Sequence, residues 1–532
     1  MGTYTGTALD EEISPYRVSP SVTVSGAPKP SSAADMINGL GGNDVLNGGG
    51  GGDTINGGDG DDDIFDGSQG GDDGYATSTN AGNVIHGNAG NDRIGISVKE
   101  TSGENPVTNT AYGDEGDDEV SLFYDSNDLV SETLTYPSGT ITLYGGSGND
   151  GLGVGNSWNH NVSKTTVYLY GEAGNDQLHA TRSDLNLDYD FYPGNNPDFL
   201  YGGLGNDTYF VLEPSDQVFE QAGEGYDKVT AYQTNYTLPS NVEALEMESH
   251  YPWVYSYSGT GNELDNVITT TQFRDDPVNY ALDGAGGNDT ISGSPWGSDT
   301  IKGGIGNDTL YGDLGNDTIS GQDGDDKIYG GRSDDDPEDG PDTIHADAGN
   351  DNVWAGGGGD LVYGGSGDDN LYGQSGNDTI RGGVGNDRVY GGSGTDTLYG
   401  DDGVDNVRGG GGADRCDGGG GNDRYDYDYV SDSAPGTADR DVILAFAGVG
   451  ATAGDQIDLA TIDANAGVGG NQAFVFKGTA AITGAGQVNV VASGSDTLIR
   501  ANTGGSLAPE LEILVQDGGA TPGQWVAGDF IL

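Results

Sequence analysis

Residues 382–390 read Gly382-Gly383-Val384-Gly385-Asn386-Asp387-Arg388-Val389-Tyr390, and the pattern returns every nine residues on both sides. From Pro337 to Asp426 the chain divides into ten consecutive nonapeptides with Asp at the sixth place. These are Asp342, Asp351, Asp360, Asp369, Asp378, Asp387, Asp396, Asp405, Asp414 and Asp423. Two places later stands an apolar residue: Ile344, Val353, Val362, Leu371, Ile380, Val389, Leu398, Val407, Cys416, Tyr425. A second run, preceded by Asp289, holds the register at Asp299, Asp308, Asp317 and Asp326, and a third holds it at Asp44, Asp53 and Asp62. Chance does not place ten such units in register.

The spacing has a physical reading. Glycine at the first, second and fourth places permits positive φ and close backbone approach, so six residues make a tight turn. The other three form a short strand whose middle, apolar residue points inward while its neighbours point out. Two nonapeptides then make one 18-residue coil, and repeats n and n+2 stack on one edge about 4.8 Å apart. The expected fold is all-β, a parallel β-roll or β-helix solenoid. Ninth-place residues should line up on its outside. Trp354, Tyr372, Tyr390 and Arg408 form one such ladder, and His345, Tyr363, Arg381, Tyr399 and Asp417 the other. Stacking that braces a thin solenoid explains the ladders; a contact face for another protomer or for sugar rings is the sharper alternative.

Composition narrows the function. Of 532 residues, 100 are Gly, and 86 Asp plus Glu against 19 Lys plus Arg give a net charge of −67. Such a polyanion repels the phosphate backbone of nucleic acid and anionic lipid surfaces. Apolar residues are 33%, below ordinary globular usage and suggestive of disorder, yet 29 Tyr argue against it. Cys416 is alone, so no intrachain disulfide exists. No apolar run is long enough for a membrane helix, and Met1 to Pro30 shows no secretory n- or h-region.

The nonapeptide resembles the RTX (haemolysin-type) repeat, G-G-x-G-x-D-x-U-x. That resemblance implies Ca²⁺ as cofactor, held between stacked turns by turn carbonyls and Asp carboxylates, hard oxygen donors that suit it. The implied ligands are the aspartates above together with Asp92, Asp118, Asp150, Asp176 and Asp207. A run of N repeats offers roughly N−2 sites, so the three runs imply about eleven ions carrying about +22, with isolated repeats adding more. Without them, like charges a few ångströms apart oppose folding. The chain is expected to be expanded without Ca²⁺ and a solenoid with it.

Along the chain, residues 1–35 read as an N-terminal extension and 36–207 as a roll with long loops. Residues 208–283 read as a β-rich spacer insert, 284–426 as a regular roll, and 427–532 as a C-terminal module. In the first roll the spacing loosens, as if one turn per coil were replaced by a longer loop. Those loops carry Trp158, Tyr189, Phe191 and Tyr192. Ser431-Asp432-Ser433-Ala434-Pro435-Gly436, Gly454-Asp455-Gln456-Ile457-Asp458-Leu459 and the ending Asp529-Phe530-Ile531-Leu532 resemble the C-terminal module of serralysin-type proteins. This implies a β-rich cap and an uncleaved signal read by a type I secretion apparatus. Export unfolded from a low-Ca²⁺ cytosol and folding outside would follow.

The protease half of that resemblance is missing. None of His86, His160, His179, His250 and His345 begins H-E-x-x-H. Gly145-Gly146-Ser147-Gly148-Asn149 fails the G-x-S-x-G elbow at its last place, and neither Lys302 nor Lys477 sits in a Walker loop. Cys416 stands at an inward apolar place and reads as a small buried hydrophobe. The expectation is a non-catalytic, extracellular structural protein that self-associates at the cell surface, like a surface layer, without nucleic acid or a membrane span. An adhesin binding cell-surface polysaccharide is the alternative, and an enzyme with an unrecognised active site the second.

Overall fold

The computed structural model describes residues 2–14, 17–20, 22–26, 29–30, 33–49, 51–66, 82–99, 107–125, 139–156, 165–182, 197–249, 254–272, 277–332, 339–436, 438–451, 454–465, 467, 469–504, 507–517 and 519–532. The loop aromatics Trp158, Tyr189, Phe191 and Tyr192 lie outside them. The described chain is β-strand joined by turns, with no α-helix and two short 3₁₀ turns, Pro522–Gln524 and Ala527–Asp529. It falls into two compact units, Met1–His250 and Tyr251–Leu532.

Each unit carries two columns of parallel strands. In the first unit one sheet runs through Met36–Gly41, Thr54–Asp59, Val84–Ala89, Val107–Glu115, Gly139–Ser147, Thr165–Ala173, Asp198–Leu204 and Gln217–Phe219. Its inward residues are in register: Ile37, Ile55, Ile85, Ala111, Leu143, Leu169, Leu200 and Val218, all buried. The facing column stacks Leu46, Ile64, Ile94, Val120, Leu152, Leu178, Tyr209 and Val229, also buried. Each strand contributes one recurring inward residue, joined in the first unit by Ile96, Ile141, Val167, Ala180 and Val211, so the core is a pair of narrow stacks and hydrophobic burial per residue is low.

The second unit repeats the plan in the register read from the nonapeptides. Ile301, Ile319, Ile344, Val362, Ile380, Leu398, Cys416 and Ile443 form one stack. Ile291, Leu310, Ile328, Val353, Leu371, Val389, Val407, Tyr425 and Ile457 form the other. Cys416 is 2% exposed inside its stack. The pairing then changes hand. Leu511–Gln516 lies parallel to Val442–Leu444 but antiparallel to Asp496–Asn502, which pairs antiparallel with Gln487–Ser493. Phe530–Ile531 adds to Gln456–Asp458, and Trp525, Phe446, Phe530 and Tyr425 cluster over this end.

Two stretches set apart by their sequence carry on the parallel ladder. Thr3–Thr5 pairs with Met36–Gly41, and Glu12–Ile13 with Val45–Asn47, so the N-terminal segment supplies a coil without the nonapeptide. Thr208–Val211, Lys228–Ala231 and Ala244–Ser249 likewise stack in parallel. The physical reason is that stacking needs an inward apolar residue and a matched turn, and both can be built without the full glycine pattern.

Candidate metal centre

Every sixth-place aspartate occupies the same position, at the end of a turn where the strand begins. One carboxylate oxygen, Oδ1, accepts the backbone N–H of its counterpart one coil earlier. Along one edge of the second unit this runs Asp289 to Asp308, Asp308 to Asp326, Asp326 to Asp351, Asp351 to Asp369, Asp369 to Asp387, Asp387 to Asp405 and Asp405 to Asp423, at 2.7–3.1 Å. The other edge links Asp299, Asp317, Asp342, Asp360, Asp378, Asp396 and Asp414 in the same manner. In the first unit Asp44, Asp62, Asp92, Asp118, Asp150, Asp176 and Asp207 form a continuous relay across gaps of up to 32 residues. Asp53 sits on its opposite edge, donating to Asn83.

The second oxygen is the informative one. Oδ2 is buried with no hydrogen-bond partner in Asp44, Asp62, Asp92, Asp118, Asp150, Asp176, Asp207, Asp289, Asp308 and Asp317. The same holds for Asp326, Asp342, Asp351, Asp360, Asp369, Asp378, Asp387, Asp396, Asp405, Asp414 and Asp423. Asp299 differs because its Oδ2 takes the N–H of Ser294. Asp53 has a further interaction of its own. A buried carboxylate oxygen without a partner is costly. Burial and the neighbouring carboxylates push these groups up from the ordinary 3.8, to about 6 for Asp387, about 8 for Asp351 and about 9 for Asp342.

The glycines complete the surroundings. A Cβ on first-place Gly382 would collide with Oδ2 of Asp387 and stand 2.6 Å from the carbonyl oxygen of Gly400, one coil on. Fourth-place Gly385, at φ +146°, would collide with the carbonyl of Gly367. Such a turn is thus a cradle of carbonyl oxygens and one unpaired carboxylate oxygen that a side chain at Gly382 or Gly385 would crowd, although Ala346 and Ala355 stand at the first places of the Asp351 and Asp360 turns. A hard, multivalent cation fits this set and a soft one does not. The sixth-place aspartates and the turn carbonyls would hold it. Bound there, it would supply the positive charge that the carboxylate column lacks.

Several members of these columns escaped the sequence pattern. Asp35, Asn83 and Asp227 stand in the first unit's columns, and Asp441 and Asp455 extend the second unit's. Asp227 has Ala222 in place of the first-place glycine, Asp441 has Thr437 and Asp439 at the second and fourth places, and Asn83 replaces the carboxylate by an amide, so none of them fits G-G-x-G-x-D.

The outer ladders stand where the ninth places put them. Trp354 stacks on Tyr372 at 5.9 Å and Tyr372 on Tyr390 at 5.0 Å; His345 stacks on Tyr363 at 4.6 Å. The Arg381 guanidinium lies 4.2 Å over the Tyr399 ring. A longer run in the first unit was hidden by its irregular spacing: His86, Tyr112, Tyr144, Tyr170, Tyr201 and Phe219, at 4.4–4.9 Å. Inner rings of such a run have both faces against neighbours. Sugars stack on ring faces, so these ladders offer a glycan only edges and hydroxyls; bracing of the roll is their physical role. Beside the His86 end runs a groove of about 840 Å³ lined by Asn88, Asp114, Glu115 and Glu172, with Asp114 paired to His86 at 3.0 Å. Asn88, Asp114 and Glu172 have φ of 75–81°, but Asp347, Gln374 and Asp401 show the same strain elsewhere. The strain therefore belongs to the second place of the turn, not to the groove.

Fold and donor set together define a parallel β-roll whose turns fit hard cations. RTX calcium-binding nonapeptide repeats are found in it in many copies, matching residues 31–64, 38–73, 77–94, 167–183, 194–211, 283–319, 296–328, 311–336, 338–362, 363–398 and 390–425. Among characterised proteins, the chain is 29% identical over 139 residues to the endo-1,3-1,4-beta-glycanase ExsH of Rhizobium meliloti (strain 1021). The match covers 26% of this chain and about a quarter, 24%, of that relative's length. Two solved structures are also similar, both subunits of the Azotobacter vinelandii mannuronan C5-epimerase. AlgE6R3 is 22% identical over 33% of this chain and 80% of its own, with a TM-score of 0.22. AlgE6R2 is 22% identical over 32% and 91%, with a TM-score of 0.20. Among the described residues no helix is long and apolar enough to cross a membrane.

Proposed function

We propose that this chain is a secreted, non-catalytic structural protein that folds on binding Ca²⁺ outside the cell and self-associates at the cell surface or in the extracellular matrix. The observation that carries it is the column of buried, unpartnered carboxylate oxygens. A chain so charged is poorly folded where Ca²⁺ is scarce and well folded where it is abundant. That property suits passage through a type I secretion apparatus before folding. Asp529 is buried, and Phe530–Ile531 is paired with Gln456–Asp458. A signal in that segment is accessible only in the unfolded chain. Nearly all of the described chain is scaffold, which supports a structural role over a catalytic one.

Electron microscopy of the purified protein before and after millimolar Ca²⁺ tests this reading. Sheets or filaments that appear with Ca²⁺ are expected. Monomers under both conditions would overturn it.

One observation favours a second reading, a glycan-binding protein. The groove beside His86 presents Asp114, Glu115 and Glu172 as acceptors for sugar hydroxyls, and the curated relative is named for action on a β-glycan. Binding of the Ca²⁺-loaded monomer to a glycan array would favour it, and turnover of a β-glucan would replace both readings with an enzyme.

A further inference from the structure

The first unit's roll ends differently from the way it repeats. First-place Gly39, Gly57, Gly87, Gly113, Gly145 and Gly171 each face Oδ2 of their own sixth-place aspartate and the first-place carbonyl one coil on. Gly202 breaks the series. It faces Oδ2 of Asp207, the hydroxyl of Tyr209 and Oε1 of Glu220, and a Cβ there would collide with the first two and stand 2.5 Å from the third. The cause lies in the register. Asp198–Leu204 pairs with Gln217–Phe219 so that Tyr201 is opposite Phe219, which puts Glu220 where the next first-place glycine would stand. A carboxylate side chain thus occupies the place of a backbone carbonyl.

Three carboxylates meet there. One oxygen each from Asp207, Glu220 and Asp227 lie within 4.8 Å of one another, which is the span of two ligands on opposite sides of an ion at about 2.4 Å. Asp207 and Asp227 are each 1% exposed, and their Oδ2 atoms have no hydrogen-bond partner. Oε2 of Glu220 is likewise buried and unpartnered, while its Oε1 accepts the hydrogen bond of the Tyr209 hydroxyl. Tyr209 fills an inward apolar place, where the coils before it carry Leu178 and Leu152. The phenol thereby orients Glu220 from inside the roll. Oδ1 of Asp227 is held by the Asp207 N–H at 2.8 Å, and the Asp227 N–H by Oε2 of Glu243 at 2.7 Å.

We infer that Asp207, Glu220 and Asp227 form a separate Ca²⁺ site closing the first roll, with Tyr209 as its positioning residue and with more ligand charge than a repeat turn. It rests on the calcium reading of the repeats and adds a site that the nonapeptide pattern does not contain. Higher ligand charge favours tighter binding, so this ion should be among the last released.

The test is a crystal structure of the full chain grown in Ca²⁺, with data recorded where calcium scatters anomalously. Peaks are expected in the repeat turns and also between Asp207, Glu220 and Asp227. Glu220→Gln, equal in size, should remove that last peak and leave those beside Asp150 and Asp387. Peaks in the turns with none at Glu220 overturn the inference. Peaks nowhere overturn the calcium reading of the repeats as well. If Glu220→Gln fails to fold, the wild-type map alone decides.

Discussion

The backbone N–H of Asp369 donates to Oδ1 of Asp387 at 2.9 Å, while Oδ2 of Asp387 is buried and meets no donor. The two oxygens of one side chain therefore do separate work: one fixes the stacking of coils, the other stands ready for a cation. Asn83 separates the two functions, since its Oδ1 takes the Asp53 N–H at 2.8 Å and it has no second oxygen to offer.

Asp387→Asn should copy that arrangement. The amide keeps the Oδ1 acceptor and removes the metal donor, so the loss falls on Ca²⁺-dependent stability, about 1–3 kcal/mol. Calcium titrations followed by circular dichroism should show a midpoint shifted several-fold to higher Ca²⁺. An unchanged midpoint would remove Asp387 from the ligands.

In chelator the pH dependence should run opposite to ordinary acid denaturation. The folded-state values are raised, from 3.8 to about 6 for Asp369 and Asp378, about 8 for Asp317 and Asp351, and about 9 for Asp342. Burial is the main cause. Below about pH 4 both folded and unfolded chains are protonated and the ion-free roll keeps its full stability. As pH rises through 6 to 9, that stability is lost. The β signal of dilute, ion-free protein should thus be strongest in acid and gone by pH 8, and saturating Ca²⁺ should restore it at pH 8. A β signal that persists in chelator at pH 8 would contradict the cation requirement.

Gly385→Ala should be far worse than a change at the second place. Gly385 has φ +146° and no room for a Cβ against the Gly367 carbonyl. The second place accepts Gln374 at φ 73° and Asp401 at φ 70°. Gly385→Ala is expected to cost at least about 3 kcal/mol from strain and collision, against about 1 kcal/mol or less for Gln374→Ala, a second place that already carries a Cβ. Denaturant unfolding in saturating Ca²⁺ measures both.

Tyr144→Ala removes an inner ring with neighbours at 4.8 and 4.9 Å. Two stacked pairs at about 0.5–1.5 kcal/mol each predict a loss of about 1–3 kcal/mol, with calcium stoichiometry unchanged. Thermal unfolding and calorimetry separate the two readouts. A variant as stable as the parent would mean that the ladder does not brace the roll.

The regular coils were legible because glycine, aspartate and the inward apolar residue each answer to a separate physical demand at a fixed spacing. Asp342 through Asp423 could be placed on two edges from arithmetic alone, and the Tyr372–Tyr390 stack followed. What escaped did so for identifiable reasons. Asp227 reaches its column through a two-residue excess, 20 residues after Asp207 instead of 18, which no fixed period detects. The His86–Phe219 run is split by loops of unequal length, so its members share no interval. Glu220 is an ordinary acidic residue in sequence and becomes unusual only when strand pairing sets it over Gly202.

The aspartate relay also has a direction. Every link in it donates toward the later coil, and the last amides are received by something other than a sixth-place residue: the Asp227 N–H by Glu243, the Asp441 N–H by Ser433. Interior coils are therefore interchangeable, and the two terminations are not. Removing or duplicating an eighteen-residue block within the regular run would leave every link intact, so the length of this molecule can be reset by whole coils without redesigning either end.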